Sequence, residues 1–555
     1  MSHRLRGFSL RSHRWVLAVI LAGALAIRLM TVHFGLPAML DPDELTFELG
    51  ALKMINGGDL NPEWFGHPAT TTMYLLAILD AAVLALGLLS GRFDSLDRFS
   101  AAIYADPGIL VLPHRVAIVA IAVIGIALAY RLADRLFDRD TAIVTAAVLA
   151  ISPVHITYSQ IVRTDMMATV FAQAAMLAAL AFARHSGAKA YLGTVLLVAL
   201  AITTKWPYAL FFLALVGAVV LRWQPRLVTT RTAARLVIGA GLLVLAAMVA
   251  ISPFLIIEFN TVIVNLQGEA QVHHLGATGS TLPANAWWYL KGPMLRALGP
   301  LGLVLAGIGL WQARRNREFL AICAIPAVAS FLLISSQNIV WERWVLPLVP
   351  VAAMLAAYVL VRGWRMVASR IGQRGAAALG IAALGAMLVP LGLSARSDGI
   401  ERMNDTRLMA TRWLVEHAEP GSSVMVEHFA FDLLATGVFQ IYFPLGESGC
   451  LEARDQLSKR VDNTTVNAAR GGRSNLDFGT LAPDLVEACT TDYAVLTHYL
   501  RYEAEKDRFP QEYANYQRLL ATSEVVAEFY PEDGASGIRP TVIVRRLGPA
   551  GPLQP

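Results

Sequence analysis

Apolar runs of roughly 17–22 residues recur along this chain, the length an α-helix needs to cross the hydrocarbon core of a bilayer. Most of the gaps between them are short and basic. In lipid the backbone must satisfy its own polar groups, so such runs fold as helices. Only 16% of the residues are charged, against about 25% in average soluble domains, and mean hydropathy is +0.52. The runs fall near residues 15–36, 109–130, 141–159, 166–184, 190–204, 206–222, 235–253, 297–313, 318–336, 343–361 and 375–394. Formal net charge is +5, but the basic residues lie in short clusters between runs, so no nucleic-acid partner is expected.

Loop charge then sets the topology. The stretch 68–90 is apolar enough to cross but carries Asp80. If it does not cross, the segments Arg131–Arg139, Arg184–Lys189, Arg222–Arg235, Arg314–Arg317 and Arg362–Arg374 share one side with the amino terminus. All are basic, as cytoplasmic loops are. If it crosses, every later basic loop moves outside. The sequence therefore predicts eleven spans, an interfacial helix near 68–90, a cytoplasmic amino end and an external carboxyl end. Arg4, Arg6, Arg11 and Arg14 precede an apolar run too long for an ordinary signal peptide, so a retained first span in the inner membrane is expected.

This parity places Asp43, Glu44, Arg163, Asp165 and Lys205 on the same outer side, with a long loop over 253–292. Residues 1–394 form the membrane module. From 395 the character changes: Asn404 or Asp405 caps a helix through about His417, and Pro420-Gly421 ends it. Ser423–Val426, Tyr493–Leu496, Val525–Phe529 and Thr541–Val544 read as strands, and 508–520 as a helix. The fold class is thus a polytopic α-helical membrane protein with a C-terminal soluble α/β domain over 395–555. Outside the cytoplasm, Cys450 and Cys489 can form a disulfide.

Carboxylates at the edge of a span are costly to desolvate and are rarely there for packing. Asp43 and Glu44 read as a general base or metal ligands on one hand, and as an acidic helix start on the other. Asp165 reads as a second site acid or as the cap of the next helix, with Arg163 as its neutralising partner. Lys205 can hold a phosphate at the interface or snorkel to headgroups. His67-Pro68 opens the interfacial helix, and His67 can donate to an anion or simply sit at the interface. Arg343 runs against the positive-inside bias and asks for an anion, or for Glu342 beside it. Glu269, His273 and His274 mark the long loop as an acceptor or carrier loop. They lack the helix-spaced pair of a zinc site, and no metal is assigned.

In this order and on this side, the residues resemble the GT-C superfamily of membrane glycosyltransferases. The likeness is to its protein O-mannosyltransferase and lipid A aminoarabinose transferase group. The carrying motifs are Asp43-Glu44 in the first outer loop, His67-Pro68 opening a juxtamembrane helix, and Arg163-Thr164-Asp165 before a span. Thr204-Lys205 and Arg343-Trp344-Val345-Leu346-Pro347 complete the set. His67 stands where several members have Lys. The resemblance implies an inverting hexosyl- or pentosyltransferase that uses a polyprenyl-phosphate sugar donor and a protein, lipid or glycan acceptor at the outer face. It assigns Asp43, Glu44 and Asp165 to catalysis, and Lys205, Arg163, His67 and Arg343 to the donor phosphate. No cofactor is required, although the acids leave room for a divalent ion. The rival reading is a transporter or lipid-linked sugar flippase, which would be expected to show paired repeats and broken midplane helices.

Overall fold

The computed structural model describes residues 10–224, 227–454, 477–531 and 540–547. Arg4 and Arg6 of the basic amino terminus lie outside the described residues. The chain opens with α1 (Leu10–Met30), followed by three helices of the first long connection: α2 (Pro42–Gly57), α3 (Thr70–Leu89) and α4 (Leu96–Ala105). The bundle resumes with α5 (Gly108–Leu136), α6 (Arg139–Ile151), α7 (Pro153–Thr157), α8 (Thr164–His185), α9 (Ala188–Thr204), α10 (Phe212–Trp223) and α11 (Thr230–Ile251). Two short helices, α12 (Phe254–Ile257) and α13 (Phe259–Glu269), occupy the second long connection. Then α14 (Leu282–Tyr289) widens through Leu290–Met294 into α15 (Leu295–Ala313), and α16 (Arg317–Phe319) widens through Leu320–Ala324 into α17 (Ile325–Ser335). Finally α18 (Val349–Ile371) and α19 (Gln373–Met403) close the module.

Ten helices among the described residues are long and apolar enough to cross a membrane, α3 among them. α6, with 13 residues, and α9, with 17, are shorter than those ten but run within the same bundle. Its core is rich in alanine and glycine, and small residues let backbones approach closely. A Cβ at Gly217 would sit 2.2 Å from the Ala321 carbonyl, and one at Gly309 would sit 2.6 Å from that of Leu355.

The contacts sort the connections by end. At one end Asn316 donates to the Leu136 carbonyl at 2.9 Å and Arg184 to that of Arg135 at 2.8 Å. There Arg365 also spans Asp138 and Asp140, while His13 approaches Asp140. These are the basic connections grouped by loop charge. At the other end Arg163 meets Asp41, and Lys205 meets Asp165. Both ends of α3 lie at this second end. Pro68 bridges to Lys205 beside its start. Gly87 packs on Phe93 near its finish, and Phe93 clusters with Phe99 of α4 and Leu110 at the start of α5.

The C-terminal part is a six-stranded sheet of order β3-β2-β1-β4-β6-β5. Its strands are β1 (Ser423–Val426), β2 (Gln440–Leu445), β3 (Gly449–Glu452), β4 (Tyr493–Leu496), β5 (Ser523–Phe529) and β6 (Thr541–Arg546). β1 pairs in parallel with β2 and β4, and the remaining pairs are antiparallel. Four strands lie where the apolar pattern predicts. β2 and β3 do not show in that pattern, because β2 contains Pro444 and β3 is a four-residue edge strand. Asp405 is the N-cap of the first helix of this part, accepting from Arg407 N at 3.0 Å. Cys450 and Cys489 are joined as a disulfide with Cα atoms 5.2 Å apart.

The sheet domain docks on the end of the bundle that carries the acids. Arg407 donates to the Leu40 carbonyl at 2.8 Å, and Phe431 packs with Met39 and Val111. Gly276 N donates to Glu505 at 2.7 Å, and Arg501 donates to the Leu275 carbonyl, which ties in the second long connection.

Candidate active site

The site is assembled from helix ends. Asp41 caps α2, accepting from Asp43 N at 3.0 Å, and Pro42 starts the helix with its φ preset. Asp43 therefore stands in the first turn, while Glu44, one position on, faces the core. Glu44 is 1% exposed and is fully engaged. Both its oxygens bind Arg115 of α5, at 2.8 and 2.6 Å, and one also accepts from Val162 N at 2.9 Å. It holds α2 to α5 and to the segment that delivers Arg163, and it faces away from the open site.

Arg163 grips both oxygens of Asp41 at 2.9 Å and also pairs with Asp43. Its expected partner, Asp165, pairs instead with Lys205 at 2.6 Å. The reason is the helix start: Arg163 is the extended residue before α8 and Asp165 stands in its first turn, so the two side chains leave in different directions. Arg343 completes the set from the turn Glu342–Val345, lying 3.8 Å from both Asp43 and Asp165. Its expected partner also differs. Glu342 turns to Arg296 at 2.5 Å and accepts from Tyr158, and Arg296 in turn holds Asp398 at 2.5 Å. Arg343 is left to the two site acids and to the face of Trp341, 4.4 Å from the ring centroid.

His67 is placed by backbone ties, Trp206 N donating to its carbonyl at 2.8 Å and Ala69 N to the Thr204 carbonyl at 3.3 Å. Its ring lies 3.3 Å from Thr164 Oγ1 and 3.8 Å from Glu269. Burial, then the Lys205 ammonium, push the His67 imidazole down to about 3 against the pull of Asp165, so the ring is neutral at physiological pH. At Asp43 burial pushes the carboxyl up, but Arg163, Arg343 and Lys205 outweigh it and hold the acid below the usual carboxylate range. Burial lowers the Lys205 ammonium, more than Asp165 restores.

These residues border a cavity of about 380 Å³. Its polar wall includes His67, Asp165, Lys205, Glu269, Asn338 and Arg343. Its apolar wall includes Trp206, Phe211, Leu333, Ile334, Trp344 and Pro347. Asp43 is not among the residues that border the cavity; it is one-third exposed and lies 3.8 Å from Arg343, which does border it. Asp41 and Asp43 pair with Arg163, and Asp165 pairs with Lys205.

Of the loop residues, Glu269 joins the cavity. His274 packs edge-on at 4.8 Å on the ring of Trp341, which lines the cavity, and His273 is exposed. Sequence reasoning left out Asp41 as a site residue and missed the Tyr158–Glu342–Arg296–Asp398 chain. A usable signal existed in each case: Asp41 belongs to the same acidic cluster, and Arg296 and Asp398 are charges at the edges of apolar runs.

Residues 99–257 match the family model described as dolichyl-phosphate-mannose-protein mannosyltransferase. No curated protein matches the chain in sequence. Among solved structures it is similar to ArnT from Cupriavidus metallidurans in the apo state, at 16% identity and a TM-score of 0.52, covering 97% of this chain and 100% of that one. The Archaeoglobus fulgidus oligosaccharyltransferase tethered with an acceptor peptide aligns at 12% identity and a TM-score of 0.51, covering 92% of this chain and 72% of that one. AglB from the same organism, in complex with an inhibitory peptide and a dolichol-phosphate, aligns at 13% identity and 0.50, covering 94% and 73%. The membrane module, its end-on acidic site and the docked sheet domain make this chain a polytopic membrane protein with the fold of the GT-C superfamily of membrane glycosyltransferases.

Proposed function

We propose that the chain transfers a sugar from a polyprenyl-phosphate donor to an acceptor at the outer face of the cell membrane, with inversion at the anomeric carbon. The observation that carries this reading is the convergence of Lys205, Arg343 and His67 on a cavity with one apolar wall. An isoprenoid chain needs the apolar side and its phosphate needs the cationic side. A relative of the same fold holds a dolichol-phosphate. The basic connections gathered at the far end of the bundle support the orientation, since cytoplasmic loops are basic. The two ends of α3, both at the site end, support an interfacial rather than a crossing helix.

In this mechanism the phosphate displaces Asp165 on Lys205 and takes Arg343 from the other side. A lipid phosphate leaves already as an anion, so the protein stabilises developing negative charge and need not protonate the leaving oxygen. Asp43, one-third exposed and 3.8 Å from Arg343 beside the cavity, is the acid an acceptor hydroxyl can reach, and the hydroxyl approaches the anomeric carbon opposite the phosphate. Asp43 takes the hydroxyl proton as the acceptor oxygen bonds to the anomeric carbon and the phosphate departs with the electron pair. Arg343 and Lys205 both hold the Asp43 carboxyl down. A bound phosphate neutralises them and so raises Asp43 toward the basicity a general base needs. Asp165 orients the sugar or the acceptor, Glu44 positions α2, and Arg163 fixes Asp43 against α8.

The test is transfer of labelled sugar from synthetic polyprenyl-phosphate sugars by the purified protein. Turnover with one such donor is expected, with free polyprenyl phosphate released. Transbilayer movement of the intact donor without transfer would make the protein a flippase instead.

A further inference from the structure

Away from the cavity, three buried side chains from three helices converge: Glu48 of α2, Asp80 of α3 and His114 of α5. They are 5%, 1% and 0% exposed. His114 Nδ1 lies 2.9 Å from Glu48 and Nε2 lies 2.7 Å from Asp80. One donor atom from each residue lies within 4.8 Å of the other two. Despite these short distances, both ring nitrogens, both Asp80 oxygens and Glu48 Oε1 are buried without a properly directed hydrogen bond among the described residues. The oxygens sit near the nitrogens but off the N–H axes. Only one ring nitrogen can bind a given ion, so the carboxylate beside the other must swing toward it, and one donor atom of each residue is already within 4.8 Å of the other two.

Charge points the same way. Arg115, the neighbouring cation on α5, is taken up by both oxygens of Glu44. Two carboxylates and one imidazolium leave a net negative charge in a desolvated setting, which is costly. Two carboxylates, a neutral imidazole and a divalent ion sum to zero.

We propose that Glu48, Asp80 and His114 form a divalent metal site, with one imidazole nitrogen and the two carboxylates as ligands. A mixed nitrogen and carboxylate set suits Zn²⁺ or another first-row ion, whereas Ca²⁺ takes oxygen ligands alone. Ligand bonds of about 2.0–2.2 Å require the three side chains to close on the ion by small rotations. The ion is a positioning element and does not touch the reacting atoms. It fastens α2, whose first turn carries Asp43, to α3, which His67 precedes by three residues, and both to α5.

The test uses the purified full-length protein in detergent, free of any affinity tag. Metal content is measured by mass spectrometry, and the unfolding temperature is followed through chelation and re-addition of Zn²⁺ or Mn²⁺. About one equivalent of metal per chain is expected, with an unfolding temperature that falls on chelation and recovers with the ion. Asp80→Asn and His114→Ala are expected to lose both the metal and the recovery, while the exposed His273→Ala keeps them. Wild-type protein that holds no stoichiometric metal, and whose unfolding temperature ignores chelator and added ion, would overturn the site and leave an imidazolium bridge. Metal retained equally by the Asp80 and His114 variants would also overturn it.

Discussion

Asp43 and Asp165 are each held by two cations, but they are not equivalent. Asp165 is 2% exposed and bound to an ammonium, whereas Asp43 is one-third exposed beside guanidinium groups. Asp43→Asn keeps the shape and cannot accept a proton, so turnover at saturating donor should fall about 10²–10⁴-fold. Fold and membrane insertion should survive, because Asp41 and Glu44 still hold α2. Purified, folded variants assayed side by side check this. Near-normal Asp43→Asn with dead Asp165→Asn would move the base to the other acid. Lys205→Ala should weaken donor binding roughly ten- to hundred-fold, the size of a lost charge-assisted contact of about 1.5–3 kcal/mol. Lys205→Arg should cost less. Titration with labelled donor measures both, and unchanged binding in Lys205→Ala would make the residue an anchor for Asp165 only. That these charged residues gather at one end of the bundle was legible, but their pairings were not. Sequence neighbours such as Arg163 and Asp165, or Glu342 and Arg343, look like natural partners. A helix or turn start points them apart, and each finds its counter-charge on another element.

At the scale of elements, the sheet carries its own buried acid pair. Glu427, at the end of β1, accepts from Thr497 N at 2.6 Å, His498 N at 3.0 Å and Phe478 N at 3.0 Å. Nearby Asp477 accepts from Tyr502 at 3.0 Å, and burial, then the Glu427 charge, push its carboxyl up to about 8. A carboxyl whose folded pKa is raised binds its proton more tightly when folded. Its contribution is full below the ordinary value of about 4 and is lost as pH rises toward about 8. Thermal unfolding of the full chain should therefore show a sheet-domain transition that falls across this window. Asp477→Asn should flatten the slope, and an unchanged slope would place the proton elsewhere. The helices of the bundle and four strands were legible because apolar periodicity and length mark them. The wide turns at Leu290–Met294 and Leu320–Ala324 were not, since they continue the same apolar runs and depend on how neighbours pack.

For the whole molecule, parity is the strong statement. Single cysteines placed in a Cys323→Ser background, at Asp59 or His273 on one side and at Arg315 on the other, should react with an impermeant thiol reagent from opposite faces of sealed vesicles. All three positions are exposed. Labelling of all three from one face would break the shared-site arrangement, because no short loop spans about 30 Å of hydrocarbon. The chain by itself determined the class of fold, the basic set of connections and the acids that belong together. Those follow from local hydropathy and charge, which a membrane reads segment by segment. Only the tertiary structure decided which cation holds which acid, that Glu44 turns inward to Arg115 while Asp43 stays open, and that the sheet domain grips the Asp41 loop through Arg407. These depend on directions of side chains from elements far apart in sequence, and no local pattern encodes such directions.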